Sequence, residues 1–171
     1  MKRCVIISGA SIGDYERVRE FFREEDFNIF CDCGLRHRKN LGIEADLIVG
    51  DFDSYTLTET QTEVIRLPCE KDDTDTVFAV KEGLRRGFDS FLIVGAIGER
   101  LDHTLGNLYI LDMLDKSGKR GMIVDDYSEM ELVSSEKKYV EDGYSYFSLL
   151  NITGKAEGVS IKNAKYPLDN A

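Results

Sequence analysis

Six short apolar runs alternate with segments of helical periodicity over the first 125 or so residues, and this alternation constrains the chain more than any other feature of it. The runs are Arg3 to Ser8, Phe27 to Cys31, Leu47 to Val49, Val64 to Leu67, Phe91 to Val94 and Met122 to Val124. Apolar runs this short, bounded by Gly, Pro or Asp, predict buried strands. Between them, Asp14 to Arg23 sets Val18, Phe21 and Phe22 at helical spacing, and a short Arg- and Lys-rich helix runs to Leu41. A third helix opens at Lys71-Asp72-Asp73-Thr74-Asp75 and runs to about Arg86, its acidic and Thr residues suiting the positive end of a helix dipole. From Leu101 to Lys116 the residues Leu101, Leu105, Leu108, Leu111 and Leu114 recur at spacings of three and four, which predicts a helix with one apolar stripe. Strands alternating with helices in this way predict an α/β fold, a mainly parallel sheet flanked by helices.

After about Asp126 the pattern changes. Glu131 to Ser134, Lys138 to Val140, Tyr144 to Leu150 and Val159 to Lys162 are short β-type runs separated by turns such as Glu141-Asp142-Gly143 and Thr153-Gly154. The expectation is two domains, an α/β unit over 1–126 and a smaller all-β unit over 127–171. A unit of that size buries too little surface to stand alone and is expected to pack on the first domain or on another copy of itself.

Composition enters where it excludes partners. With 32 Asp and Glu against 22 Lys and Arg, the net charge of -10 argues against a nucleic-acid backbone, yet it leaves room for a polyphosphate accompanied by a metal ion. No apolar run approaches a membrane span, and Met1-Lys2-Arg3-Cys4 leads into a run too short for a signal peptide. The four cysteines, Cys4, Cys31, Cys33 and Cys69, have neither zinc-site spacing nor the density of a disulfide scaffold, which predicts reduced thiols and a cytoplasmic protein.

The acidic residues are distributed by position. Asp32 follows the second strand, Asp51 and Asp53 follow the third, Asp72, Asp73 and Asp75 lie beyond the fourth, and Arg100 with Asp102 lie beyond the fifth. In a parallel sheet all of these fall on one edge, where open α/β folds hold their ligands. Clustered carboxylates are costly without a cation between them, and oxygen-only ligands predict Mg²⁺ or a close relative. Helix N-capping is the other reading of Asp73, Thr74 and Asp102. Neither a P-loop nor a dinucleotide fingerprint is present, although Gly95-Ala96-Ile97-Gly98 could turn backbone N–H groups toward an anion. The Arg100 fork suits either a phosphate or a surface salt bridge. His103, in the first turn of its helix, reads as a capping or hydrogen-bonding residue more readily than as a proton shuttle.

Taken in order, Asp32-Cys33-Gly34, Gly50-Asp51-Phe52-Asp53-Ser54, Lys71-Asp72-Asp73-Thr74-Asp75 and Gly98-Glu99-Arg100-Leu101-Asp102-His103 through Asn107 resemble the successive motifs of the thiamine pyrophosphokinase family. The resemblance implies an α/β catalytic domain followed by a β-sandwich thiamine-binding domain, a homodimer with active sites at the subunit interface, and transfer of pyrophosphate from ATP to thiamine, giving thiamine diphosphate and AMP. It implies Asp51, Asp53 and Asp75 as the catalytic, Mg²⁺-binding carboxylates, with Asp32 close by. Ser54, Lys71, Asp72, Thr74, Arg100, Asp102, His103 and Asn107 would border the nucleotide and its phosphates. Glu99 departs from the small residue common at its position, and no further strand pair follows Tyr166-Pro167-Leu168, so the β-sandwich and its thiamine pocket are expected to be C-terminally incomplete. In the implied reaction the hydroxyl of thiamine attacks the β-phosphorus of ATP in line, with no general base assigned. Two other functions compete: a nucleotide- or thiamine-binding module without turnover, and a Mg²⁺-dependent aspartyl-phosphate phosphatase, whose Asp motif ordinarily follows the first strand rather than the third.

Overall fold

The computed structural model describes residues 2–52, 61–70, 72–134, 137–152 and 154–171. The chain divides into two compact units, Met1–Ser134 and Ser135–Ala171.

In the first unit the alternation predicted from sequence is realised as β1 (Arg3–Ile7), α1 (Tyr15–Arg19), β2 (Phe27–Cys31), a 3-10 turn (Asp32–His37) running into α2 (Arg38–Leu41), β3 (Leu47–Gly50), β4 (Glu63–Arg66), α3 (Asp75–Arg85), β5 (Ser90–Val94), α4 (Leu101–Lys116), β6 (Arg120–Val124) and β7 (Glu129–Glu131). The sheet order is β4-β3-β2-β1-β5-β6-β7. All pairings are parallel except that of β6 with β7. Chain order therefore reverses between β1 and β5, and every parallel strand points its C-terminal end at the same edge.

Side chains alternate across the sheet because the strand period is two. Cys4, Ile6, Ile29, Cys31, Leu47, Val49, Phe91 and Ile93 face a layer built from Ala79 and Val80 of α3 and Ile110, Leu111 and Leu114 of α4. Val5, Ile7, Phe30, Ile48, Leu92 and Val94 face Val18 of α1 and Leu41 of α2. Both faces being covered, the strands read as continuous apolar runs, as parallel strands do.

Three elements differ from the sequence reading. The helix expected over Asp14 to Arg23 ends at Arg19. Arg3 draws the following turn inward, donating to the Phe21 carbonyl (2.7 Å) and to both oxygens of the Asp26 carboxylate (2.7 and 2.5 Å). In α4 the single predicted stripe splits: Leu101 and Leu105 are 69% and 50% exposed, and burial begins at Asn107. The run expected at Glu131 to Ser134 within the all-β domain is strand only at Glu131, the last residue of β7 (Glu129–Glu131), which is the antiparallel edge of the first unit's sheet, so that sheet extends past residue 126.

The second unit shows only some of its expected β character. Val159 and Ala171 exchange two backbone hydrogen bonds of 3.0 Å, and Ile161 and Leu168 exchange two of 2.8 and 3.1 Å. Two steps on one side against three on the other form a bulge, with Asn170 at φ 48° donating to the Ser160 hydroxyl. Over Lys138 to Val140 and Tyr144 to Leu150, where sequence predicted strands, none is found among the described residues. A β-type run becomes a strand only against a partner edge, and a lone hairpin is marginal.

Candidate functional site

The parallel ladder brings two carboxylates together before any side-chain contact is considered. Cys31 of β2 pairs with Val49 of β3, so Asp32 and Asp51, just beyond these positions, leave neighbouring strand ends. Gly50 permits the approach, since a Cβ there would lie 2.8 Å from the Cβ of Asp32. Gly34 does the same for the 3-10 turn: its missing Cβ would stand 2.1 Å from the Ile7 carbonyl oxygen, so only glycine lets that turn lie against β1. Asp75, the first residue of α3, completes the group. Ligand oxygens of Asp32, Asp51 and Asp75 lie within 4.8 Å of one another, Asp32 buried and the other two half-buried. Three carboxylates at this spacing repel one another, and an oxygen-only set of hard ligands could hold a divalent cation such as Mg²⁺.

The chain turns sharply just past Asp51. Phe52 adopts φ 59°, a left-handed conformation that costs a bulky residue about 1–2 kcal/mol, and the Arg66 guanidinium lies 5.0 Å above its ring. Backbone held in such a region collects at functional sites. Cys33 donates its thiol to the Asp32 carboxylate at 3.3 Å, and burial, with that carboxylate as acceptor, pushes the thiol up from its ordinary value.

Of the other residues singled out by sequence, Asp53, Ser54 and Lys71 lie outside the described residues. Asp72 is exposed just before α3. Thr74 caps α3, its hydroxyl accepting from the Val77 N–H at 3.2 Å, so the capping reading holds for it; Asp73 instead pairs with Lys81 at 2.6 Å. At the start of α4, Arg100 donates to Asp102 at 2.5 and 3.2 Å and holds that carboxyl down at about 2; both side chains are about two-thirds exposed. His103 is exposed in the first turn, whereas Asn107 is buried and donates to the Ala96 carbonyl at 2.7 Å, bracing the β5–α4 loop.

Sequence reasoning missed the residues that brace the rim. Glu99 accepts from the Ser11 hydroxyl at 2.8 Å and joins the loop after β5 to the loop after β1. Its own backbone N–H, the Ser11 hydroxyl and the nearby Arg36 charge lower its pKa. The Asp126 carboxylate accepts from the Gly13 and Asp14 N–H groups at 2.8 and 3.0 Å. His37 is fully buried, its Nε2 2.9 Å from the Ala10 carbonyl and its Nδ1 2.7 Å from the Tyr15 hydroxyl. A carbonyl only accepts, so Nε2 carries the proton and Nδ1 receives that of Tyr15. None of these partners shares a sequence period with the other; only the loop positions of Ser11 and Glu99 hinted at a contact.

Known proteins match the chain over this region and beyond it. The family model described as thiamin pyrophosphokinase, catalytic domain, matches residues 18–123, a span that contains Asp32, Asp51 and Asp75. A thiamine pyrophosphokinase of Bacillus subtilis (strain 168) is 26% identical over 178 residues, covering 99% of this chain and 83% of that protein. The crystal structure of thiamine pyrophosphokinase from Bacillus subtilis superposes with a TM-score of 0.85 at 25% identity, covering 99% of this chain and 83% of the other. A thiamin pyrophosphokinase family protein from Enterococcus faecalis, 24% identical, has the same fold at a TM-score of 0.70 over 100% of this chain and 84% of its own.

Proposed function

Because the chain belongs to the thiamin pyrophosphokinase family, we propose that it transfers pyrophosphate from ATP to the hydroxyl of thiamine, yielding thiamine diphosphate and AMP. The observation that carries this reading is the convergence of Asp32, Asp51 and Asp75, from three successive segments of the matched region, on the C-terminal edge of the sheet. A protein of net charge -10 needs such a place to receive a polyphosphate.

The donor set fits Mg²⁺: it is oxygen-only, drawn from three elements, and Gly50 leaves no Cβ where the Asp32 side chain lies. Asp32, Asp51 and Asp75 would hold the ion, a set that adds Asp32 to the sequence expectation; Asp53 keeps its proposed place as a ligand. An ion held there would supply positive charge to offset that of the phosphates. The protein's own residues position the reactants. Arg100, at the start of α4, offers a planar fork to a phosphate once released from Asp102, and Asp72 and Thr74 border the nucleotide at the start of α3. The thiamine hydroxyl oxygen forms the new bond to the β-phosphorus, the bond from the β-phosphorus to the α,β-bridging oxygen breaks, and AMP leaves with that oxygen.

Incubation with ATP, Mg²⁺ and thiamine, followed by identification of the nucleotide product, tests the reaction. AMP formed only when thiamine is present is the expected result; ADP or free phosphate would sink it. The same reading includes a cytoplasmic homodimer, in keeping with Leu101, Leu105 and Tyr109 standing 69%, 50% and 67% exposed along one face of α4. Sedimentation at micromolar concentration should then give about twice 19.4 kDa, and a single species at 19.4 kDa would remove the dimer.

A further inference from the structure

The three carboxylates are not held in place by the same means. Asp32 and Asp51 leave β2 and β3, whose spacing is fixed by backbone hydrogen bonds along the ladder. Asp75 belongs to a helix, and α3 rests on β1, β2 and β3 through side chains such as Ala79 and Val80. Apolar packing fills volume but is not directional, so it resists a small slide of the helix weakly. A polar contact between side chains crosses from the sheet to the first turn of α3: the Ser8 hydroxyl, just past the end of β1, lies 2.8 Å from the hydroxyl of Thr76. Both residues are buried, at 4% and 8% exposure, so the bond is shielded from competing water.

We propose that the Ser8–Thr76 hydroxyl pair is the positioning device of the carboxylate group, setting the distance of Asp75 from Asp32 and Asp51 and through it the affinity for a divalent cation. Hydrogen bonds are directional to within tenths of an ångström, and Mg²⁺ demands near-octahedral ligands at a fixed distance. The inference rests on the metal reading above but not on the reaction.

Paired substitutions separate positioning from stability. Ser8→Ala alone strands the buried Thr76 hydroxyl and lowers both stability and cation affinity. Replacing both partners with apolar groups, Ser8→Ala with Thr76→Val, leaves nothing unsatisfied and should restore much of the melting temperature. The positioning role then predicts that the double variant still needs about ten to a hundred times more Mn²⁺ for half-saturation than the unaltered protein. Electron paramagnetic resonance of Mn²⁺ added to the protein without ATP or thiamine reads this, and Thr76→Ser, which keeps the hydroxyl, should bind as the unaltered protein does. A double variant that binds Mn²⁺ as tightly as the unaltered protein would overturn the proposal. Failure of the unaltered protein to bind Mn²⁺ would withdraw the metal reading and the proposal together. Saturable Mn²⁺ binding that depends on the pair, without thiamine-dependent AMP formation, would leave the positioning role standing and remove only the reaction.

Discussion

Gly50 decides how near two carboxylates can come. Its substitution by Ala would place a methyl 2.8 Å from the Asp32 Cβ and 3.1 Å from its Cα, and these atoms cannot give way without moving the end of β2. Gly50→Ala is therefore expected to cut Mg²⁺-supported AMP formation at least about tenfold, read as a rise in the Mg²⁺ needed for half-maximal rate. Asp51→Asn preserves shape and removes charge, so turnover should fall more than about a hundredfold while circular dichroism stays unchanged; a near-normal rate would remove Asp51 from the site. His37 reports on pH. Burial lowers its pKa below the ordinary 6.5, so as pH falls the unfolded chain takes up that proton first. Its contribution to stability is full above about 6.5 and is lost below, and urea unfolding at pH 7.5 and 5.5 should show a larger loss for the unaltered protein than for His37→Gln. Asp51 and Asp75 were legible in the sequence because a carboxylate just past a strand, or opening a helix, announces its edge. The Ser8–Thr76 contact was not, since a hydroxyl pair separated by 68 positions leaves no pattern.

At the scale of elements, α3 matters most because it carries one carboxylate at its first residue. Thr74→Ala removes the acceptor for the Val77 N–H and should cost about 1 kcal/mol in urea unfolding, with a parallel loss of cation affinity as the first turn frays. Sequence placed the opening of this helix across Lys71 to Asp75 and could not choose among several residues able to cap it; the bond from Val77 to Thr74 makes the choice. Strand β2 was read to the residue, because both its ends are marked by Asp or its neighbours. Helix α1 was read too long, because Arg3 and Asp26, distant in sequence, decide where it stops. The stripe on α4 was periodic as predicted, yet periodicity records which residues share a face and not how far that face is covered.

For the molecule as a whole, charge sets the conditions of binding. A chain at -10 repels ATP, which is itself an anion, so chelation of divalent cations should weaken ATP binding at least about tenfold by calorimetry. ATP affinity unchanged by chelation would detach the nucleotide from the acidic edge. The parallel strands of the first unit were legible because such a sheet is built from buried runs that sequence marks plainly, whereas its antiparallel edge β7 was not. In the second only the run Val159 to Lys162 was legible, and its pairing with Leu168 and Ala171 was not, because β-type runs acquire pairing from partner edges that composition does not reveal. Among the described residues no helix is long and apolar enough to cross a membrane.

The ladder joining Cys31 to Val49 has one more consequence. Neighbouring strands in any sheet stand about 4.8 Å apart, so the separation of Asp32 and Asp51 is inherited from backbone pairing and is insensitive to drift in the core around it. Selection for a different ion, larger or softer, could not act by spreading those two ligands. Of the three, only Asp75 rides on a helix, so in the proposed site the seating of α3 is where the preference for an ion could be adjusted.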